Sequence, residues 1–287
     1  MTPLAIILVL TAAALHATWN LLAKQVNSGL PFVWVCVTLS VIIYGPLAGW
    51  YWWTHPVVIS PLAIQLIVLS GVLHSGYFLF LQRAYQVGDF SLVYPLARGT
   101  GPVLSFLAAV ILLGETPSML TVGGGLVIVL SIFLLTGAHG MIQGKRKAAP
   151  GLFYGIGCGV FIASYTLVDQ QAVTVAAVVP LLLDWGSNFS RGLLMTPFAI
   201  KRWDEVKHVW AASKKECLAV AILSPLAYIL VLTAMSFTPL TYIAPMREVS
   251  ILIGALIGAR MLKEMDGHRR IWAAGAMALG VIALALG

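Results

Sequence analysis

The chain has 287 residues, of which 60% are hydrophobic and 9% are charged, and its mean hydropathy is +0.95. A soluble domain carries about 25% charged residues, so this composition excludes a soluble globular protein and predicts an all-α polytopic membrane protein. The net charge of +7 does not indicate a nucleic-acid partner, because the basic residues lie in loops between apolar runs rather than on one folded face.

Ten apolar runs follow one another along the chain, and about 20 apolar residues are enough to cross a bilayer. The runs cover residues 3–23, 31–53, 61–82, 91–113, 118–138, 151–170, 177–200, 216–237, 240–262 and 270–286. We therefore expect about ten transmembrane helices. The first run should stay in the mature protein, since no Lys or Arg precedes Lys24 and a secretory signal peptide begins with a positively charged region.

A basic connecting loop, residues 139–150, divides the chain into a first unit of five runs, 1–138, and a second unit of five runs, 151–287. Because five is odd, the second unit would enter the membrane in the opposite sense. This layout is an inverted repeat, which in transporters places the substrate site between the two units near the middle of the bilayer. We expect a bundle of two inverted five-helix repeats around such a central cavity.

A spacing shared by the two units supports the repeat. Arg98 precedes Glu115 by the same 17 residues that separate Arg247 from Glu264. A guanidinium at the middle of a membrane span costs about 2.5 to 3.5 kcal/mol on insertion scales unless it faces a partner or a wet cavity. We expect both arginines to face the protein interior.

The number of acids at membrane depth determines whether every arginine there can be paired within the protein. Three arginines, with Arg191 as the third, stand against two mid-helix acids, Asp184 and Glu248. The excess positive charge favours a site for a carboxylate or another anion, which the guanidinium fork matches. In the structural alternative, Arg98 or Arg247 is permanently paired with Glu248 or Asp184 and holds the bundle together.

The candidate site residues fall into three groups, and no catalytic residue, metal or cofactor is expected among them. Candidates for binding substrate are Arg98, Arg247, Tyr94, His74, Tyr77, Trp19, Tyr165 and Ser250. Candidates for sensing protons are His74, Asp184 and Glu248. Asn188 and Arg191 share one helical face with Asp184, at spacings of four and three, and are expected to support it. For His74 a packing role is the alternative. His16 is a weaker candidate, and Tyr228 is one of several further aromatic residues that can line a pocket.

Several short motifs make the chain resemble the drug/metabolite transporter superfamily, in particular its EamA type. They are HATWNLLAK in the first run, YPLARGTGP in the fourth, and the paired endings LLGE and MLKE of the fourth and ninth runs. The resemblance implies a basket-like bundle whose cavity is lined mainly by the first, third, fourth, sixth, eighth and ninth helices. It also implies export of amino acids or other metabolites, whereas relatives of this type move nucleotide sugars and sugar phosphates.

We therefore expect an exporter of amino acids, including aromatic or hydrophobic ones, or of similar carboxylate-bearing metabolites, working by alternating access. The alternatives are an importer or exchanger of another small anion, such as an aminophosphonate, a dicarboxylate or a sugar phosphate, and a non-transporting membrane scaffold or sensor. An enzyme is not expected. The expected partners are the small-molecule substrate, protons and the lipid bilayer, with no nucleic acid. Monomer and homodimer both stay open.

The basic residues also predict orientation in a cell inner (plasma) membrane. Lys and Arg concentrate in alternate connections, from Lys24 in the first to Arg269 and Arg270 in the last, and such loops face the cytoplasm. Both termini are then outside, which departs from the termini-inside layout common in the family. Between runs seven and eight, Trp203, Val206 and Trp210 share one stripe, typical of a short helix in the cytoplasmic interface. A solvated loop is the alternative.

A reporter fused at Gly287 tests this orientation. We expect alkaline phosphatase, which is active only outside the cytoplasm, to be active there, and green fluorescent protein to stay dark. Fusions in the 139–150 loop serve as the opposite control and should give the reverse pattern. Fluorescence at Gly287 would contradict the orientation and leave the fold untouched.

Overall fold

The fold is helical throughout the part that the structure, a computed structural model, describes. The described residues are 1–26, 29–56, 60–87, 90–136, 149–254 and 267–287. The helices are α1 (Pro3–Val26), α2 (Gly29–Thr54), α3 (Pro61–Val87), α4 (Phe90–Leu112), α5 (Met119–Thr136), α6 (Ala149–Thr174), α7 (Pro180–Lys201), α8 (Trp203–Ala212), α9 (Lys214–Met235), α10 (Leu240–Met246) and α11 (Gly267–Leu286). Residues 249–254 are also helical. The predicted all-α fold is confirmed for these ranges.

Four of the described helices contain a stretch whose length and composition are those of a transmembrane helix. The stretches Pro3–Ala23, Gly29–Thr54, Pro61–Ala84 and Lys214–Met235 are each long and apolar enough to cross one. The outward faces of the bundle carry large apolar side chains that are more than half exposed, among them Ile42, Leu79, Leu130 and Phe198. Exposed apolar surface of this extent suits contact with lipid. A polytopic membrane protein is therefore supported, while the number of ten crossings stays a prediction.

The helices of the two halves pack in a reciprocal pattern. α1 packs on α9 and α3 packs on α6, while α2 pairs with α7 and α5 pairs with α11. Suppose that the first five helices correspond in order to α6, α7, α9, α10 with its continuation, and α11. The repeat then converts the α1–α9 pair into the α3–α6 pair, and it leaves the α2–α7 and α5–α11 pairs unchanged. An inverted repeat would produce this pattern. The repeat itself, with its boundaries at 138 and 151, stays a prediction.

The packing of α4 on α6 depends on a glycine. A Cβ built on Gly159 would overlap the Thr100 hydroxyl and would lie 3.1 Å from the backbone nitrogen of Gly101. Small residues at such points let helix backbones approach closely in a membrane. Gly159 therefore sets the distance between the helix that carries Arg98 and its neighbour.

The predicted ninth helix is interrupted. α10 ends at Met246, Arg247 and Glu248 form a turn, and the helix resumes at 249. Across this turn the backbone bonds shorten from i→i−4 to i→i−3, since Glu248 N–H donates to the Pro245 carbonyl at 3.1 Å and Ile251 N–H donates to the Glu248 carbonyl at 2.9 Å. A tightened stretch inside a helix often marks a hinge. In contrast, α4 continues through Arg98, the corresponding position of the first half.

Glu115 follows α4 and caps the start of α10. Its two carboxylate oxygens accept hydrogen bonds from the backbone N–H groups of Leu240 at 2.7 Å and Thr241 at 2.8 Å. The first N–H groups of a helix lack partners within it, and a negative charge there also complements the helix dipole. The LLGE ending thus fastens the first half to the broken helix of the second. The matching Glu264 lies outside the described residues.

The short amphipathic helix predicted between runs seven and eight is present as α8. Val206 and Val209 are buried, whereas Trp203 and Trp210 are 48% and 38% exposed. The predicted stripe is therefore split. Val206 is buried together with Val209, whereas the two tryptophans are partly exposed and Trp203 contacts the Trp34 ring of α2 edge to face at 6.0 Å. Its position in a membrane interface stays a prediction.

The Gly159 contact gives a stability test. Gly159→Ala should destabilise the purified protein by about 1 to 3 kcal/mol, because overpacking forces neighbouring side chains and backbone to shift. Gly123→Ala is the matched control, since a Cβ at this position would meet no atom within 4 Å beyond the backbone of its own helix. Thermal unfolding in detergent compares the two variants. Equal melting temperatures would contradict the close contact.

The Glu115 cap gives a second test. Glu115→Ala should lower stability by about 1 to 2 kcal/mol, because two helix-terminal N–H groups lose their acceptor. Glu216→Ala, which removes an acid from the first turn of α9, serves as the control. A melting temperature of Glu115→Ala equal to that of the control would show that the cap contributes nothing.

Candidate functional site

Two adjoining cavities lie between the halves and meet at the same three side chains. The first has a volume of about 20 Å³ and is lined by α1, α4, α9 and the interrupted helix. The second has a volume of about 10 Å³ and is lined by α4, α6 and the interrupted helix. Arg98, Arg247 and Glu248 line both. The expectation that the two arginines face the interior and converge on one region agrees with this geometry.

Arg98 is held by a buried ion pair. Its Nη2 atom lies 3.1 Å from Glu248 Oε2, and the two side chains are 17% and 8% exposed. The same Nη2 donates a longer hydrogen bond of 3.4 Å to Ser250 Oγ. Removing one partner of a buried ion pair costs about 3 to 5 kcal/mol, since it leaves the other charge uncompensated. In this conformation the structural alternative therefore describes Arg98: it joins α4 to the break in the ninth helix.

Arg247 is held differently. Its guanidinium carbon lies 5.4 Å above the ring centre of Tyr228. Among the described residues no carboxylate forms a salt bridge with it. A cation–π contact contributes about 0.5 to 2 kcal/mol and leaves the guanidinium N–H groups able to bind an anion in the plane of the fork. The two corresponding arginines thus have different partners.

Asp169 is a site residue that the sequence analysis missed. It lies on α6 and is 0% exposed, and Tyr228 donates a hydrogen bond to its Oδ2 atom. The predicted sixth run ended at residue 170, which placed Asp169 at the edge of a loop, whereas α6 continues to Thr174. The signal was the four-residue spacing of Asp169 and Val173, both buried, on one helical face.

The burial of Asp169 corrects the charge count. The excess of one arginine rests on two mid-helix acids, but among the described residues three acids are buried inside the bundle, Asp169, Asp184 and Glu248. Three arginines therefore face three acids. What distinguishes Arg247 is its placement: a tyrosine lies between it and Asp169, so no carboxylate of the described residues bonds it directly.

His74, Tyr77 and Tyr165, three of the predicted substrate-binding residues, lie in one aromatic cluster with Tyr228. The His74 ring stacks on Tyr165 at 3.9 Å and meets Tyr228 edge to face at 5.5 Å, while Tyr77 meets Tyr165 at 6.1 Å. His74 Nδ1 lies 2.9 Å from the Ser70 carbonyl, which can only accept, so this nitrogen carries the proton. Tyr165 lines the second cavity, and the other two predicted residues lie behind it.

The predicted face of the seventh helix is a hydrogen-bonded row. Asn188 donates to Asp184 Oδ2 at 3.0 Å, and Arg191 Nη1 donates to Asn188 Oδ1 at 3.2 Å. None of the three lines either cavity. The negative charge of Asp184 and the positive charge of Arg191 compensate each other through Asn188. This is what we expect if Asn188 and Arg191 support Asp184. Its acid, Asp184, is separated from the arginines of the cavities.

The remaining candidates are unevenly placed. Ser250 lines the first cavity, as does His16, the weaker histidine candidate. Trp19 contacts the His16 ring edge to face at 4.8 Å but does not line the cavities. Tyr94 belongs to α4, and its side chain lies outside the described part of the chain. None of these contacts tests a role in transport, so the roles stay predictions.

Comparison with known proteins agrees with this architecture. Residues 3–137 match the model of the EamA-like transporter family. A solved crystal structure, described only as that of a protein, is 17% identical in sequence and superposes with a TM-score of 0.77 over 98% of this chain and 98% of its own. At that identity the likeness shows the fold alone. No curated protein matches the chain.

Proposed function

We propose that this protein exports an amino acid or a similar carboxylate-bearing metabolite. The proposal starts from the match of residues 3–137 to the EamA-like transporter family, whose members are small-molecule transporters of the drug/metabolite transporter superfamily. The substrate binds in the two cavities between the halves. Its carboxylate is bound by Arg247, and the protein works by alternating access.

The position of Arg247 carries the proposal. It lines both cavities, it lies at the break of a helix, and it rests on the face of Tyr228 rather than against an acid. A guanidinium in low dielectric needs a negative partner, and its fork matches the two oxygens of a carboxylate. A substrate carboxylate supplies that partner. Arg98 already forms an ion pair with Glu248, so its guanidinium is less available to a substrate than that of Arg247.

The rest of the lining suits an amino acid. Glu248 lines both cavities and presents an acid to which an ammonium group can bind. Tyr165 and Tyr228 offer ring surface for an apolar or aromatic side chain. In this conformation the two cavities have volumes of only about 20 and 10 Å³, so they must widen for an amino acid to enter. A sugar phosphate carries two charges and would ask for more basic groups than these.

The ion pair between Arg98 and Glu248 provides a link for alternating access. Arg98 belongs to the first half and Glu248 to the second, directly at the tightened turn after α10. Separating the halves on one side of the membrane requires this pair to break or to rotate with the turn. A substrate whose ammonium competes for Glu248 weakens the pair at the moment when the site is filled, which couples binding to the rearrangement.

Replacement of Arg247 tests the binding role. In Arg247→Gln, efflux of L-phenylalanine and resistance to its toxic analogue p-fluorophenylalanine should fall about 10- to 100-fold, the loss expected for a charge-assisted hydrogen bond of about 1.5 to 3 kcal/mol. Arg247→Lys keeps the charge without the fork and should retain an intermediate activity. Transport is measured in cells and in proteoliposomes.

Arg191→Gln is the matched control, because it also removes an arginine from inside the bundle but one that lines neither cavity. Size-exclusion profiles establish that each variant is folded. Full efflux by folded Arg247→Gln would show that the assignment of this residue is wrong. If the unmodified protein moves no amino acid, the substrate class fails, and the same assay with dicarboxylates and sugar phosphates tests the alternatives.

A further inference from the structure

Asp169 is the buried carboxylate whose bonding is least complete. It is 0% exposed, and one of its oxygens, Oδ2, accepts the hydrogen bond of Tyr228. Ser70 lies beside the carboxyl group, yet no donor among the described residues reaches Oδ1 in hydrogen-bonding geometry. An ionised carboxylate in such a place is costly unless both oxygens are bonded. A proton on Oδ1 removes that cost.

The other two buried acids of the described residues have cationic or amide partners. Glu248 Oε2 also lacks a well-aligned hydrogen bond, but it lies 3.1 Å from the Arg98 guanidinium, which compensates its charge. Asp184 accepts from Asn188, which in turn accepts from Arg191. Of the proton-sensing candidates taken from the sequence, His74 already uses Nδ1 to bond the Ser70 carbonyl. The geometry therefore favours Asp169 over all three earlier candidates.

Tyr228 connects this carboxylate to the substrate cavity. Its hydroxyl bonds Asp169, its ring face carries Arg247, and its side chain lines the first cavity. One residue thus separates a group that can gain or lose a charge from the guanidinium proposed to bind substrate. The helices packed on α6 are α3, α4, α7 and α9. Their charged or titratable groups inside the bundle are His74 and Tyr77 on α3, Arg98 on α4, Asp184 and Arg191 on α7, and Tyr228 on α9, while Arg247 and Glu248 lie at the break of the ninth helix.

We propose that Asp169 is a proton-binding site linked through Tyr228 to Arg247, so that a proton and the carboxylate of the substrate bind together. When Asp169 is ionised, its negative charge partly satisfies Arg247 across the tyrosine. When it is protonated, the guanidinium charge is left to the substrate anion. The linkage is reciprocal, since an anion bound at Arg247 also favours the proton on Asp169.

This inference rests on the proposed function for the identity of the ligand, and it adds the coupling. Because the proton and the anion occupy the protein at the same time, both move in the same direction in one transport cycle. Export is then driven by the gradient of the metabolite rather than by exchange for an incoming proton.

A ligand-free experiment decides whether Asp169 binds the proton. The full-length protein in lipid nanodiscs is titrated with acid and followed by infrared difference spectroscopy, in which a protonated carboxyl group has its own C=O band. We expect a band from a buried carboxylic acid in the unmodified protein and in the control Asp204→Asn, which removes an acid whose side chain is 94% exposed on α8. The band should be missing in Asp169→Asn. A full band in that variant would overturn the proposal.

A second experiment measures the coupling. Calorimetric titration with L-phenylalanine, in buffers of different ionisation enthalpy, counts the protons taken up on binding. We expect uptake of up to one proton, and an affinity that falls by up to about tenfold for each unit of rising pH, the limit for one linked proton. In Asp169→Asn both should disappear. Unchanged proton uptake in that variant, or its loss only in Asp184→Asn, would overturn the proposal.

Tyr228→Phe keeps the test decisive if Asp169→Asn does not fold. It keeps the ring under Arg247 and removes the hydroxyl that bonds Asp169, so the pH profile of binding should be displaced from that of the unmodified protein. An unchanged profile would refute the link. If no amino acid binds to the unmodified protein, the proposed substrate class fails, and the infrared titration of Asp169→Asn or Tyr228→Phe still decides the proton site.

Discussion

The requirement that no charge remain uncompensated inside a membrane governs the arrangement of this protein. The ion pair between Arg98 and Glu248 compensates two such charges and joins the two halves of the chain. Arg98 belongs to α4, and Glu248 belongs to the turn that interrupts the ninth helix. The pair lies where the two cavities adjoin, since both of its residues line each of them. Glu115 adds a second fastening between the same two elements, since it caps the start of α10.

Around this pair, aromatic rings take the place of further charges. Tyr228 meets Arg247 with its face, Asp169 with its hydroxyl and His74 with its edge. Rings of this kind are apolar enough to sit in a bundle and polar enough to bond an acid. Asp169 and Arg247 are held apart by this one tyrosine, so neither charge is fully satisfied by the other. The acid can therefore still gain a proton and the guanidinium can still bind an anion, which a direct ion pair would prevent.

Periodicity predicted the features that depend on one helix. The spacing of Asp184, Asn188 and Arg191 was sufficient to place them in one row, and the depth of Arg98 in an apolar run was sufficient to turn it inward. Features that depend on distant residues could not be read in this way. Tyr228 is 59 residues from its partner Asp169, and Glu115 is 125 residues from the helix it caps. The tightened turn at Arg247 could not be predicted from proline either, because Pro245 precedes Arg247 and Pro95 precedes Arg98, yet α4 stays helical through Arg98.

The difference between the two arginines follows from one position where the halves differ. Glu248 comes directly after Arg247, whereas Gly99 comes directly after Arg98. A Cβ at Gly99 would lie 2.8 Å from the Phe133 ring, so the first half has no room for a matching acid. A single glutamate must therefore serve a site that contains two arginines. It pairs with the arginine of the opposite half, and this leaves the other arginine to the tyrosine, where a substrate carboxylate can complete its coordination.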